Sequence, residues 1–139
     1  MNEKKKSVII IFSIQLLFFL LLILTILFFI ESINPLPVFL LFLISGIILF
    51  FFTKKYVQEK KLRKWLMVNS LSATSLILFA ILHNLFYALN TVVGNTILSS
   101  ILSVLEGVSF LISIPVSPIV FLVSTVVVIT NLLKDKKEK

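Results

Sequence analysis

Residues 7–30 read SVIIIFSIQLLFFLLLILTILFFI, twenty-four in succession without a charge. A helix that crosses the ~30 Å hydrocarbon core of a bilayer needs ~20 apolar residues. Ser7, Ser13, Gln15 and Thr25 are the polar members of this run. It is longer than the ~7–15-residue apolar region of a secretory leader, and no small-x-small cleavage pattern follows it. The run therefore reads as a retained first span, with MNEKKK as its basic anchor.

Working outward, residues 31–37 (ESINPLP) form a turn, because two prolines in three positions stop one helix and suit the first turn of the next. Residues 36–52 make a short second span with Ser45-Gly46 at its centre, and small residues let helix backbones approach in lipid. Residues 53–64 read TKKYVQEKKLRK. Five Lys, one Arg and one Glu cannot cross at ~3 kcal/mol per central basic residue, so this is expected to be a basic loop, with Trp65 at the interface after it. Residues 66–89 form a third span without a formal charge, ended by a loop at residues 90–95.

Residues 96–133 are too long for one straight span and too short for two with a turn. At 100° per residue, Ile97, Leu98, Ile101, Leu102, Val104 and Leu105 share one arc, opposite Ser99, Ser100, Ser103 and Glu106. That pattern predicts a short amphipathic helix over residues 96–106, capped by Asn95 or Thr96, at the membrane surface or across the bundle mouth. Glu106-Gly107 would end it. A fourth span over residues 108–133 follows, kinked or restarted at Pro115 and Pro118. A single tilted helix from Thr96 onward is the alternative. The fold class is thus all-α: one polytopic domain with four transmembrane helices plus a short amphipathic helix before the last span.

Composition agrees with this reading. The 139 residues are 59% hydrophobic and 14% charged, and mean hydropathy is +1.16. Soluble domains are about 45–50% apolar and about 25% charged, which argues against a soluble enzyme, a disordered segment or a nucleic-acid-binding domain. All thirteen Lys and Arg fall in three clusters, at residues 4–6, 54–64 and 134–139. With four spans these share one side, and the positive-inside rule makes that side the cytoplasm. The expected location is a prokaryotic plasma membrane with both termini cytoplasmic. The terminal KKEK also matches a dilysine retrieval signal of the endoplasmic reticulum, a minor alternative.

Ionisable groups within a membrane are functional candidates by default. Asn69, Ser72, Ala73, Ala80, His83, Tyr87 and Asn90 share one stripe of the third span, expected to face the bundle interior. Its outer end gathers His83, Tyr87 and Asn90, with Asn84 beside them. Glu106 and Glu31 fall on the same outer side. A cluster of His83, Asn84, Tyr87, Asn90 and Glu106 reads either as a proton-responsive or polar-ligand site or as hydrogen-bonded glue between helices. Gln15 has the same two readings. Ser113, Ser117, Ser124 and Thr125 of the last span are expected to bond their own helix carbonyls. The phenylalanine runs are expected to face lipid or pack. Without Cys, and with one His, there is no thiolate or multi-histidine metal site, and no phosphate loop or nucleophile elbow is present. No cofactor is expected.

The segment LHNLFYAL (residues 82–89), an acidic residue at Glu106, and a last span containing Phe and Pro resemble a pattern in small uncharacterised prokaryotic four-helix membrane proteins. The resemblance covers the second half of the chain. It implies no activity, and it points to His83, Asn84, Tyr87 and Glu106. Small multidrug transporters share the length and helix number, but their first helix carries an embedded Glu where this chain has only Gln15. The expected role is non-enzymatic: a small membrane protein acting through helix–helix contacts as an accessory, immunity or stress-type subunit, in the lipid bilayer, as a homo-oligomer or with a larger membrane partner. The alternative is a homo-oligomeric proton-coupled transporter or channel using His83 and Glu106.

Overall fold

The computed structural model describes residues 3–28, 34–94 and 96–137. Glu31, Asn95, the last two residues of the expected first span and the final two residues of the chain lie outside them. The elements are α1 (Glu3–Phe28), α2 (Leu36–Tyr56), α3 (Lys60–Val93), α4 (Ile97–Leu111), a wide π-helical turn (Ile112–Val116) and α5 (Ser117–Lys137). There is no strand among the described residues. Among the described residues, four helical stretches are long and apolar enough to cross a membrane: Glu3–Leu27, Leu36–Tyr56, Lys60–Val93 and Ile97–Lys134.

The surface supports a membrane setting. Ile10, Leu17, Leu20, Leu27, Phe51, Leu71, Ile81, Ile119 and Val126 are each half or more exposed, whereas Gln15, Thr53, Asn69, Ser70 and Ser124 are fully buried. Large apolar side chains point outward and small or polar ones inward. That is a stable arrangement in lipid, where apolar exposure costs little and close helix approach is favoured by small residues.

Three boundaries differ from expectation. The basic stretch is not a loop: α2 runs on to Tyr56, α3 starts at Lys60, and only Val57, Gln58 and Glu59 join them. Lysine stems can lie along a helix end while their ammonium groups reach water, so charge alone does not break a helix there. The third span likewise extends to Val93, where Gly94 with φ of +67° turns the chain. Finally, a separate amphipathic helix ending at Glu106-Gly107 is not found. Ile97 to Lys137 is helical throughout, and the disruption sits at Ile112–Val116.

Chemistry explains that placement. Pro115 and Pro118 have no N–H to give to the carbonyls four residues back. The helix widens instead: the Ser117 amide reaches the Ile112 carbonyl, and the Ser117 hydroxyl donates to the same oxygen at 2.7 Å. Glycine at 107 leaves the helix unbroken, because in lipid the α-helical backbone bonds have no competing water. At the N-terminal ends, Asn34 Oδ1 accepts from the Leu36 amide at 3.0 Å, and Thr96 caps α4 by accepting from the Ser99 amide.

Two packed layers hold the four-helix part. In one, Val8, Phe12, Leu49, Val57, Leu62, Leu66 and Val128 join all the long helices. In the other, Phe19, Phe42 and Phe121 meet at the bundle centre, with ring centroids 4.5 to 5.7 Å apart. The first layer brings the start of α1, the α2–α3 connection and the last turns of α5 to one end. The first two basic clusters and the C-terminal part of α5 therefore share an end of the molecule, where Lys5 Nζ meets Glu59 Oε2 at 3.1 Å. Between α2 and α3 the approach is close at Gly46, which sits against Ser70, Ala73 and Thr74.

Candidate functional site

The polar stripe of α3 divides into two regions with different neighbours. In the half nearer the basic end, Asn69 is fully buried against α5. Its Nδ2 donates to the Phe121 carbonyl at 3.1 Å, the Ser124 hydroxyl at 3.0 Å and the Thr125 hydroxyl at 2.8 Å. An amide nitrogen has two hydrogens, so one of them is shared. Ser124 passes its own proton to the Phe121 carbonyl, which leaves its oxygen free to accept from Asn69. Ser113 and Ser117 likewise bond carbonyls of their own helix, as expected; Thr125 instead accepts across the interface.

In the outer half, α3 packs against α4. His83 Nδ1 lies 3.2 Å from the backbone oxygen of Glu106. A carbonyl only accepts, so Nδ1 carries the proton, and in the neutral ring Nε2 is the acceptor. The Phe110 ring, one turn beyond Glu106, stands 5.4 Å from the imidazole at 56°. His83 and Glu106 thus meet, but through the glutamate backbone: among the described residues no ion pair joins the imidazole to the Glu106 carboxylate. No serine hydroxyl is hydrogen-bonded to His83 among those residues.

The other candidates disperse. Asn90 closes the hairpin, donating to Ser103 Oγ at 2.9 Å and accepting from Ser99 Oγ at 2.6 Å. Asn84 turns to its own helix and donates to the Ala80 carbonyl. Tyr87 is 57% exposed. It shares the angular position of Asn69, yet it is exposed where Asn69 is buried. A stripe residue is interior only where a neighbour covers it.

Two further features concern α1. Gln15 is fully buried, and neither of its amide atoms has a partner among the described residues. At the basic end, an open cavity of about 510 Å³ lies between the start of α1 and the α2–α3 connection. Its lysines are visible in sequence, but their convergence depends on how α1 packs.

His, Cys, Asp and Glu form no group able to hold a metal ion among the described residues. The chain matches no family model, no curated protein and no solved structure.

Proposed function

We propose that this chain is a non-enzymatic subunit of a membrane assembly, an accessory, immunity or stress-type protein that works through helix–helix contact. Its contact surface is the outer half of the α3–α4 hairpin, and its basic end faces the cytoplasm of a cell whose plasma membrane holds it. The observation that carries this reading is a length mismatch. From Trp65 to Val93, α3 rises about 42 Å at 1.5 Å per residue, while the hydrocarbon core is ~30 Å thick. Residues 36–52 of α2 rise only about 25 Å and fit that core nearly upright. Tilting α3 into the core would take about 45°, outside the usual 0–40° range, and α2 would tilt with it.

The overhanging part is nonetheless apolar: Val92 and Ile97 are 84% and 85% exposed, and Leu89, Leu98 and Ile101 flank them. A second membrane protein covering this flank removes the mismatch. The packed Phe19, Phe42 and Phe121 rings fill the protomer centre and leave its surfaces as the working parts. Asn69, Ser72 and Ala73 are buried within the protomer and are not available as a contact face.

The test is photo-crosslinking in native membranes from a photoreactive residue at Val92 or Ile101, with Leu17 on α1 as the comparison. A discrete product from the hairpin positions and none from Leu17 supports the reading. Equal, diffuse labelling from all three sinks it. A product at twice the 15.8 kDa chain mass would make the partner a second copy.

The meeting of His83 with the Glu106 segment favours one second reading, an oligomeric proton-coupled carrier. Its test is pH-dependent flux in liposomes, which this reading requires to vanish in His83→Ala.

A further inference from the structure

Between the two apolar layers of the bundle lies a polar one. On α1, Gln15 falls between Phe12, which belongs to the layer nearer the basic end, and Phe19, which meets Phe42 and Phe121 at the bundle centre. On α2, Ser45 falls between Phe42 and Leu49, and on α3, Asn69 and Ser70 fall between Leu66 and Ala73. The four polar residues therefore share one depth, and each is 6% exposed or less. Independently of the subunit reading, we propose that this layer is a binding site for one dehydrated monovalent metal cation, held by the side-chain oxygens of Gln15, Ser45, Asn69 and Ser70.

The hydrogen-bonding groups of the layer are short of protons. Ser45 Oγ donates to the Phe42 carbonyl at 2.8 Å and Ser70 Oγ to the Met67 carbonyl at 2.9 Å. Each hydroxyl proton is thus spent within its own helix, and the oxygen keeps lone pairs to offer. The Asn69 nitrogen donates to α5, which fixes the amide and leaves Oδ1 without a partner among the described residues. Gln15 Oε1 is equally unpartnered there. Gln15 Nε2, the one unpartnered donor of the layer among those residues, diverges from Oε1 on the same planar amide. Bare buried acceptors are costly, and a ligand that draws on several at once offsets that cost. Oxygen ligands suit hard cations, and uncharged oxygens can replace an ion's hydration shell. Charge selects the valence. Residues 7–30, 36–53, 65–105 and 107–133 contain no Asp or Glu, so nothing at this depth balances a second positive charge.

The test is thermal unfolding of the full-length chain in uncharged detergent, with sodium or potassium chloride exchanged against N-methylglucamine chloride at constant ionic strength. A cation at roughly ten times its dissociation constant raises the folded-to-unfolded ratio about tenfold, which moves the midpoint of a chain this size by about 4 °C. Wild type is expected to rise saturably with sodium, potassium or both, and the stronger response names the ion. Gln15→Leu removes one ligand and an amide that is a cost while no cation is bound. It should therefore be the more stable protein in N-methylglucamine and the unresponsive one in the alkali salts. Ser45→Ala, on a different helix, should keep only part of the response. Ser13→Ala, on the exposed side of α1, should keep all of it. Circular dichroism checks that each variant folds. Equal wild-type midpoints in all three salts would mean that water alone meets these oxygens, and would overturn the proposal. So would a response kept in full by Gln15→Leu and Ser45→Ala.

Discussion

Gly46 offers the sharpest test of how this bundle is held together. A Cβ built at Gly46 would stand 2.8 Å from Thr74 Oγ1, 3.1 Å from the Ser70 carbonyl oxygen and 3.4 Å from the Ala73 Cβ, where ordinary contact begins at 3.4 Å. Thr74 cannot simply rotate away without losing its 3.0 Å hydrogen bond to the Ser70 carbonyl. The second obstacle is the α3 backbone itself, which moves only if the helices part by some tenths of an ångström. Overpacking of this kind costs about 1–3 kcal/mol. Replacing Gly by Ala inside a helix returns about 1 kcal/mol of backbone entropy and propensity. Gly46→Ala should therefore lose about 1 kcal/mol net, and Gly46→Val about 3 kcal/mol or more because two further methyl groups meet the same wall. The assay is reversible unfolding of the purified protein from mild detergent into dodecyl sulfate, followed by helicity. Thr74→Ala removes the nearest obstacle, so the Gly46→Ala/Thr74→Ala pair should recover part of the loss, a coupling of about 0.5–1 kcal/mol. Gly46→Ala as stable as wild type, or no recovery in the pair, would show that α2 and α3 do not approach here as described.

Other expectations follow from single residues. Gln15→Leu replaces a fully buried amide lacking partners among the described residues with an apolar side chain of similar volume, and should stabilise the bundle by about 1–3 kcal/mol; a loss of stability in the same unfolding assay would mean the amide is bonded. Asn69→Ala removes three bonds to α5. At ~0.6 kcal/mol each in membranes it should cost about 2 kcal/mol, and a change indistinguishable from Asn84→Ala, whose bond stays within one helix, would contradict that. The absence of cysteine allows single-thiol mapping: a membrane-impermeant maleimide added to intact cells should label Ser100→Cys but not Gln58→Cys, and the reverse pattern would invert the proposed orientation.

The span count was legible because it depends on uncharged length, which residues 7–30 display without ambiguity. So was the meeting of the first two basic clusters at one end, since an even number of crossings returns the chain to the same end. Helix ends were less legible. Lys54 and Lys55 look like loop residues, yet they complete the last turn of α2, because a long side chain separates where its charge sits from where its backbone sits. Glu106-Gly107 looked like a break and is mid-helix, while the irregularity expected at Pro115 and Pro118 is the one that forms. Of the candidate cluster, the His83 contact with the Glu106 segment was foreseeable from shared depth. The dispersal of Asn84 and Tyr87 was not, because periodicity gives a residue's direction and says nothing of whether a neighbour stands there. The Gln15 environment and the lysine cavity depend on α1's rotation about its own axis, and a helix apolar on every side carries almost no signal for that.

The wide turn at Ile112–Val116 works as a phase adjuster between two stretches of one helix. Leu102 and Ser109 before it, and Phe121, Ser124 and Val128 after it, all face inward, although uninterrupted α-helical spacing would rotate one set about 100° from the other for each residue of mismatch. The turn absorbs that angle, so the outer hairpin and the four-helix body keep separate registers on a single continuous rod. Deleting one residue there would rotate Leu102 and Ser109 out of their buried positions, carrying the Glu106 carbonyl away from His83. The segment's length is thereby fixed to the residue by partners on both sides of it, and rocking of the hairpin against the body has one joint about which to occur.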